Sequence, residues 1–343
     1  MASALRRHDP TGELLLVGRR GGMEERLVPG AGLPLATLPV RGVDTSRPLS
    51  TAAALARLPL NVLAARRLLR RFRPDVVVGA AGYVCVPVVL AASTLRIPVL
   101  LLEQNAMPGK AVRLLARRAR AVATAFVTTA ARLPGARVVH TGNPLRAEVL
   151  AALPLALPPR EVAEHLLVMG GSQGARRLND ALAGCVRPLL EAYPGLRITH
   201  ACGARDADWV QSTRAALPAE LRERYQVSAY FDDIAARLAS SDLVVMRAGG
   251  SSLAEVSALG RPMVLVPYPF AGGHQYDNAA PYVDAGAAVL LRDEECSAQR
   301  LQREVEALLG DPSRRRALAS ASAAMGRPDA AERVVALLEE VAA

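Results

Sequence analysis

The sequence repeats one pattern: a short apolar run, a glycine-rich turn, then a helix-forming stretch. His165-Leu-Leu-Val-Met169 leads into Gly170-Gly-Ser-Gln-Gly-Ala-Arg176, and Leu243-Val-Val-Met246 leads into Arg247-Ala-Gly-Gly-Ser-Ser-Leu-Ala-Glu255. Unbroken apolar runs of this length suit strands buried on both faces. A helix between successive strands makes each connection a crossover, so the strands are expected to lie parallel. Further strands are predicted at Glu13–Gly18, Pro34–Val40, Asp75–Gly79, Pro98–Leu102, Val122–Thr128, Arg137–Thr141, Arg197–Cys202, Tyr225–Tyr230 and Ala288–Leu291. The fold class is α/β.

At 343 residues, 51% of them hydrophobic, the chain can build two cores. Leu150–Pro159, rich in Leu and Pro and without periodicity, reads as a linker. It separates a first domain, residues 1–149, from a second, residues 160–343, whose last helix can pack back on the first. The first domain opens unusually. Ala2–Arg7 reads as the tail of a helix, and the strand, glycine loop and helix that normally begin a nucleotide-binding-type domain are not seen.

No apolar run is long enough to span a membrane, and the first ten residues hold no signal core, so neither a transmembrane helix nor export is expected. Cys85, Cys185, Cys202 and Cys296 are scattered without zinc or redox spacing and are expected to be reduced thiols of a cytoplasmic protein. The net charge of +10 fits nucleic acid, an anionic membrane or a phosphorylated substrate. Lys110 is the only lysine among 42 basic residues, a bias typical of a G+C-rich genome, which weakens charge as a clue. Aromatic residues make up 3%, too few for single-strand stacking platforms. In Ala52–Arg73, Pro59 is expected to break the helix in two. The second part carries leucines with Arg66, Arg67, Arg70, Arg71 and Arg73. It suits either an anionic membrane surface or a sheet-covering role with a solvated arginine face.

The richest chemistry lies between Arg247 and Asn278. The glycines turn the chain sharply, and Ser251 or Ser252 can cap a helix running to about Leu259. The free N–H groups and positive dipole end of such a helix bind phosphate, with Arg247 alongside. Glu255, one turn in, can accept two bonds from a sugar diol. Gln275 follows the next strand, where loops converge on ligands. Glu103-Gln104-Asn105 ends another strand on the same type of edge. The Gly170–Arg176 loop is neither a Walker A loop nor a full dinucleotide fingerprint. Asp232-Asp233 can hold Mg²⁺, but a helix cap before Ile234 is the stronger reading, and no metal or cofactor is expected. His140, His165 and His200 read as packed residues; only His274 stands near the chemistry. No Ser-His-Asp set or carboxylate pair is evident, so hydrolase chemistry ranks low.

These motifs, with Gly82-Tyr-Val84, Gly142-Asn-Pro-Leu-Arg146, Tyr230-Phe-Asp-Asp233 and His274-Gln-Tyr-Asp-Asn278, resemble the MurG family of peptidoglycan glycosyltransferases in order and spacing over nearly the whole chain. The resemblance implies a GT-B fold, two Rossmann-like domains with parallel sheets and a cleft between them. It implies inverting transfer of N-acetylglucosamine from UDP-GlcNAc to lipid I, making lipid II, by a peripheral enzyme on the cytoplasmic face of an anionic cell membrane. No metal and no nucleic-acid partner are implied. By the same resemblance Ser172 and Arg146 sit at the UDP side, Asn105 meets the donor sugar, and Phe231 offers its backbone to uracil. Gly250, Ser251, Ser252, Leu253, Ala254 and Glu255 hold the diphosphate and ribose, and Gln275 bonds the GlcNAc hydroxyls. The family has a Gln pair where this chain has His274-Gln275. The family's candidate base is a His in the glycine-rich opening not seen here, so no catalytic residue is assigned. The expectation is a truncated start and impaired turnover. Other readings are a different GT-B UDP-sugar transferase with a lipid acceptor, and a non-catalytic nucleotide-sugar-binding scaffold.

Overall fold

The computed structural model describes residues 1–40, 56–80, 82–171, 174–269 and 274–343. The chain divides into two compact units. Unit 1 comprises Met1–Pro144 with Asp329–Ala343, and unit 2 comprises Leu145–Pro328.

Unit 2 is built on one parallel six-stranded sheet. Its strands are β7 (His165–Met169), β8 (Arg197–Ala201), β9 (Tyr225–Ser228), β10 (Leu243–Met246), β11 (Met263–Leu265) and β12 (Ala288–Leu290), in the order β12-β11-β10-β7-β8-β9. The apolar runs at β7 and β10 match their predicted bounds and pair in register, Leu243 opposite Leu166 through Met246 opposite Met169. Leu166, Leu167, Val168, Val244, Val245 and Met246 are buried, as the unbroken runs required. The strand order reverses between β7 and β10, the position where open α/β sheets take their ligands.

Among the described residues, unit 1 holds six parallel strands in two sheets. β1 (Leu16–Arg19) pairs with β2 (Leu35–Leu38). β3 (Val77–Gly79), β4 (Val99–Glu103), β5 (Ala121–Thr124) and β6 (Val138–His140) form the second sheet in that order. Leu38, Val40, Val77, Val99 and Leu101 nonetheless share one core with Ala65, Leu69 and Val89 from the helices Leu58–Phe72 and Cys85–Leu95. The C-terminal helix Ala330–Ala342 lays Val334, Leu337, Leu338 and Val341 on Leu100, Ala121 and Ala123 of this unit.

Several local expectations need correcting. Pro59 occupies the first turn of the helix Leu58–Phe72, where a missing N–H costs nothing, so it begins that helix. Residues 52–55, the start of the stretch it was expected to divide, lie outside the described residues. Leu150–Pro159 is not a featureless linker: Ala147–Ala152 is α-helical, held by buried Val149 and Ala152, and Leu153–Leu155 forms a 3-10 turn. Val127 and Thr128 belong to a 3-10 turn after β5 rather than to the strand. All four cysteines are buried free thiols.

Candidate active site

The turn after β10 opens the helix Gly250–Ala258. Its N-cap is Gly249, extended at φ −72° and ψ 135°, and no side chain caps it, so the expected Ser251 or Ser252 cap is corrected: both serines lie in the first turn. The first intrahelical bond runs from Leu253 N–H to Gly249 O, so the N–H donors of Gly250, Ser251 and Ser252 have no acceptor within the helix. Such an N-terminus favours an anion through both its N–H groups and its dipole.

Glu255 sits one turn further on, 8% exposed. Arg146 grips its carboxylate as a fork, Nε donating to Oε1 at 2.6 Å and Nη2 to Oε2 at 2.9 Å. The bond to Glu255 holds the Arg146 guanidinium well above its usual pKa, so it stays charged. The third guanidinium nitrogen donates to the Tyr230 hydroxyl at 3.5 Å. A carboxylate offers about four lone-pair sites, so each Glu255 oxygen retains capacity for a hydroxyl of a bound diol after Arg146 has taken its share.

Arg247 is engaged elsewhere. It is 9% exposed and donates to Val266 O at 2.9 Å and to Asp293 Oδ1 at 2.5 Å. Arg177 approaches the other oxygen of Asp293 at 3.6 Å. The positive charge expected beside a diphosphate is instead paired with Asp293, and Arg247 ties the segment after β10 to those after β11 and β12.

Gln275 lies in the first turn of the helix His274–Asp284. Its Oε1 accepts from Tyr268 N–H at 2.9 Å, which fixes the amide so that its NH₂ points the other way. Asn278, buried on the same helix, donates to Ala248 O at 3.1 Å and ties the helix to the Gly249 turn. His274 Nδ1 is buried and has no hydrogen-bond partner among the described residues.

On the other side of β7, the loop before the helix Arg176–Ala192 rests on a buried polar chain. Gly174 is at φ +79°, and a Cβ there would stand 2.5 Å from Cys202 O, so only glycine fits. Asn179 Nδ2 donates to Cys202 O at 2.8 Å and to Asp206 Oδ2 at 2.7 Å. Its Oδ1 therefore accepts from His200 Nε2–H at 2.9 Å, and His200 Nδ1 accepts from the Tyr225 hydroxyl at 2.8 Å. Burial pushes His200 down to about 3, so it is neutral. Ser172 lies outside the described residues.

Phe231 is half-buried with the Arg237 guanidinium 4.2 Å over its ring, so its side chain is already engaged. Asp233 pairs with Arg237 at 2.7 Å and makes no side-chain cap, which corrects the cap reading of that Asp pair. Asn105 belongs to unit 1, in the loop after β4.

Unit 2 therefore brings Arg146, Glu255 and the Gly250–Ala254 turn together, with Phe231 joined through its neighbour Tyr230 and Gln275 tied in through Tyr268 and Asn278. Sequence reasoning missed Tyr230 and Asn278 as contributors. Tyr230 could have been found from its place beside Phe231 at a strand end. Nothing in the sequence signals the bond of Asn278.

Two units with parallel sheets, the second with an anion-favouring turn at its strand-order reversal, have the architecture of the GT-B fold. Residues 1–124 match the glycosyltransferase family 28 N-terminal domain, and residues 165–334 match the glycosyltransferase family 28 C-terminal domain. The chain is 41% identical to the UDP-N-acetylglucosamine--N-acetylmuramyl-(pentapeptide) pyrophosphoryl-undecaprenol N-acetylglucosamine transferase of Desulforudis audaxviator, over 100% of this chain and 94% of that one. It is 38% identical to the transferase of the same name from Anaeromyxobacter dehalogenans strain 2CP-C, over 97% and 86%. The crystal structure of Acinetobacter baumannii MurG superposes with a TM-score of 0.76 at 29% identity, over 99% and 95% of the two chains. The calicheamicin glycosyltransferase CalG4, at 17% identity and a TM-score of 0.69, shares the fold. The chain belongs to the MurG family of glycosyltransferases.

Proposed function

We propose that this protein transfers N-acetylglucosamine from UDP-GlcNAc to lipid I with inversion, forming lipid II for peptidoglycan. The observation that carries the reading, beside the family membership, is the Arg146–Glu255 fork set one turn into the helix Gly250–Ala258. The helix N-terminus receives the diphosphate, and Glu255 accepts from the ribose diol. Phe231 offers its backbone to uracil, while Ser172 and Arg146 flank the UDP. Gln275, its NH₂ turned away from Tyr268, donates to sugar hydroxyl oxygens, and Asn105 meets the donor sugar.

As the acceptor hydroxyl oxygen bonds to the anomeric carbon it gives up its proton to a general base, the bond to the diphosphate breaks, and the electron pair of that bond leaves with UDP as growing negative charge. A helix N-terminus aimed there stabilises the transition state more than the ground state. Removing one such fixed donor typically costs a factor of about 100 to 1,000 in rate.

The acceptor is a membrane lipid, and the helix Leu58–Phe72 offers a surface for it. Asn61, Ala65 and Leu69 face the core, while Leu60, Leu63, Arg67 and Arg70 follow one another along the exposed side. Leu60 is 68% exposed. Apolar side chains interleaved with guanidinium groups suit the headgroup region of an anionic leaflet, reached peripherally from the cytoplasm. No helix among the described residues is long and apolar enough to cross a membrane.

The test is lipid I-dependent release of UDP from UDP-GlcNAc by the purified chain, with the lipid product identified by mass. Release that depends on lipid I supports the reading. UDP-GlcNAc binding without transfer to lipid I, but with transfer to another lipid, overturns it.

A further inference from the structure

The loop after β4 is folded around one carboxylate. Glu103 closes the strand, opposite Thr124 of β5, and its carbonyl accepts from Ala125 N–H at 2.9 Å. Its side chain is nearly inaccessible, the residue being 3% exposed. Oε1 accepts from Asn105 N–H at 2.9 Å and from Asn105 Nδ2 at 3.2 Å. Oε2 accepts from Gly109 N–H at 2.7 Å. The Thr129 hydroxyl closes the other side, 3.2 Å from Asn105 O and 3.3 Å from Ala106 O.

The sheet thus fixes the Glu103 backbone, and its carboxylate fixes both ends of the Gln104–Gly109 loop. A buried carboxylate must be satisfied by donors, and here Asn105 N–H, Asn105 Nδ2 and Gly109 N–H all come from the loop itself. The bond from Asn105 Nδ2 decides how the amide lies. Nitrogen faces Glu103, so Oδ1 faces the opposite way.

We infer that Glu103 is a positioning residue: it orients Asn105 so that the amide oxygen is presented as an acceptor to an O–H or N–H donor on the transferred sugar. This rests on the assignment of Asn105 to the donor sugar given above. Glu103 itself touches no substrate. Both of its oxygens are engaged by N–H groups of its own loop, which makes it a scaffold for that loop. A neutral amide in its place cannot serve, because a Gln side chain would turn an NH₂ toward either Gly109 N–H or the Asn105 donors.

The test uses the full chain with Glu103→Gln, Asn105→Ala and the double variant. Steady-state kinetics with UDP-GlcNAc are measured beside the Kd for UDP, which lacks the sugar. E103Q and N105A are each expected to lower kcat/KM for UDP-GlcNAc by about 10- to 100-fold, the scale for a misplaced or missing polar contact. The double variant should fall no more than about twofold below N105A, since the two act through one contact. The Kd for UDP should stay within about twofold in all three. Independent, multiplying losses in the double variant overturn the positioning role, and so does an E103Q loss that extends equally to UDP. Wild-type kinetics in N105A overturn the sugar assignment itself and the role of Glu103 with it. Should E103Q fold poorly, Glu103→Asp keeps the charge but shortens the reach. It is expected to give an intermediate loss with the same UDP affinity; wild-type kinetics in a folded E103D overturn the positioning role.

Discussion

In unit 2, Arg247, Arg261 and Arg315 are each less than one-tenth exposed, and each guanidinium is held by fixed oxygens. Arg247 meets Asp293. Arg261 donates to the carbonyls of Leu259, Ala239, Ser241 and Leu157. Arg315 donates to those of Leu308, Leu309, Arg160 and Glu161. In unit 1, Arg67, Arg70 and Arg71 stand on the surface without a carboxylate partner among the described residues. The same residue type is a cross-link in one unit and an outward charge in the other. The sheets differ in the same sense. Unit 2 is one continuous ladder, whereas among the described residues β1–β2 of unit 1 is joined to β3–β6 by side-chain packing and not by backbone bonds. Unit 2 is organised to hold a fixed polar site, and unit 1 to present surface and loops.

The strongest way to break this comparison is at Arg247. Replacing it with Met leaves Asp293 buried with Arg177 as its remaining guanidinium neighbour, and losing one partner of a buried pair costs about 3–5 kcal/mol. For a unit of this size that is a fall in Tm of about 6–20 °C. Affinity for UDP in the cold should change far less. A large loss of UDP affinity with an unchanged Tm would return Arg247 to the phosphate site and remove it from the cross-links.

Glu255 comes next, as a polar group that unit 2 both fixes and offers to ligand. Glu255→Ala removes the diol acceptor and frees Arg146 from its fork. Charge-assisted bonds of this kind are worth about 1.5–3 kcal/mol, so the Kd for UDP should rise roughly 10- to 150-fold. Titration calorimetry reads this directly. A Kd within twofold of wild type would show that the pair with Arg146 is structural only.

What the sequence revealed, and what it hid, follows the same division. β7 and β10 were legible to the residue because a strand buried on both faces must be apolar throughout. The glycine turn before Gly250 was legible as a turn, but its cap was not. Ser251 and Ser252 have the right side chains, yet Gly249 takes the extended cap position without one. Arg247 was misread because a guanidinium complements a diphosphate and a carboxylate equally well. Its carboxylate is 46 residues away in the chain, a pairing only the fold creates. The helix Ala147–Ala152 was hidden by neighbouring prolines, since the burial of Val149 and Ala152 that stabilises it is tertiary. The Glu103–Asn105 arrangement was half legible: the polar trio marked a site, but not which member serves the others.

A pH titration sharpens the contrast between interiors. His200 is fully buried in unit 2, whereas neither His8 nor His140, the two histidines of unit 1, is buried. Its folded-state pKa of about 3 lies below the ordinary 6.5, so the unfolded chain binds the proton more readily. Stability from this residue is therefore complete above pH 6.5 and is lost as pH falls toward 3. At pH 5 the loss amounts to about 2 kcal/mol. Chemical denaturation across this range should show it, and His200→Gln should flatten the slope. An unchanged slope in that variant would mean that carboxylates alone set the acid limit.

The smallest effect belongs to the outward arginines of unit 1. If Arg67 and Arg70 meet an anionic leaflet, each contributes about 1 kcal/mol near the surface, so a single Arg→Ser change should weaken vesicle binding about fivefold. The loss should shrink as salt rises, because the Debye length falls from about 10 Å at 0.1 M to about 3 Å at 1 M. Co-sedimentation with phosphatidylglycerol vesicles measures both. The control is Arg187→Ser in unit 2, where Arg187 already pairs with Glu191 at 2.8 Å on an exposed helix face. Equal losses from Arg67→Ser and Arg187→Ser would mean that net charge alone draws the protein to the vesicle. A loss confined to Arg67 and Arg70, and deepened by Leu60→Ser, would tie binding to the stripe where apolar and cationic side chains alternate. The contrast between the units would then be functional as well as structural, since the stripe sets uncompensated charge beside exposed leucine.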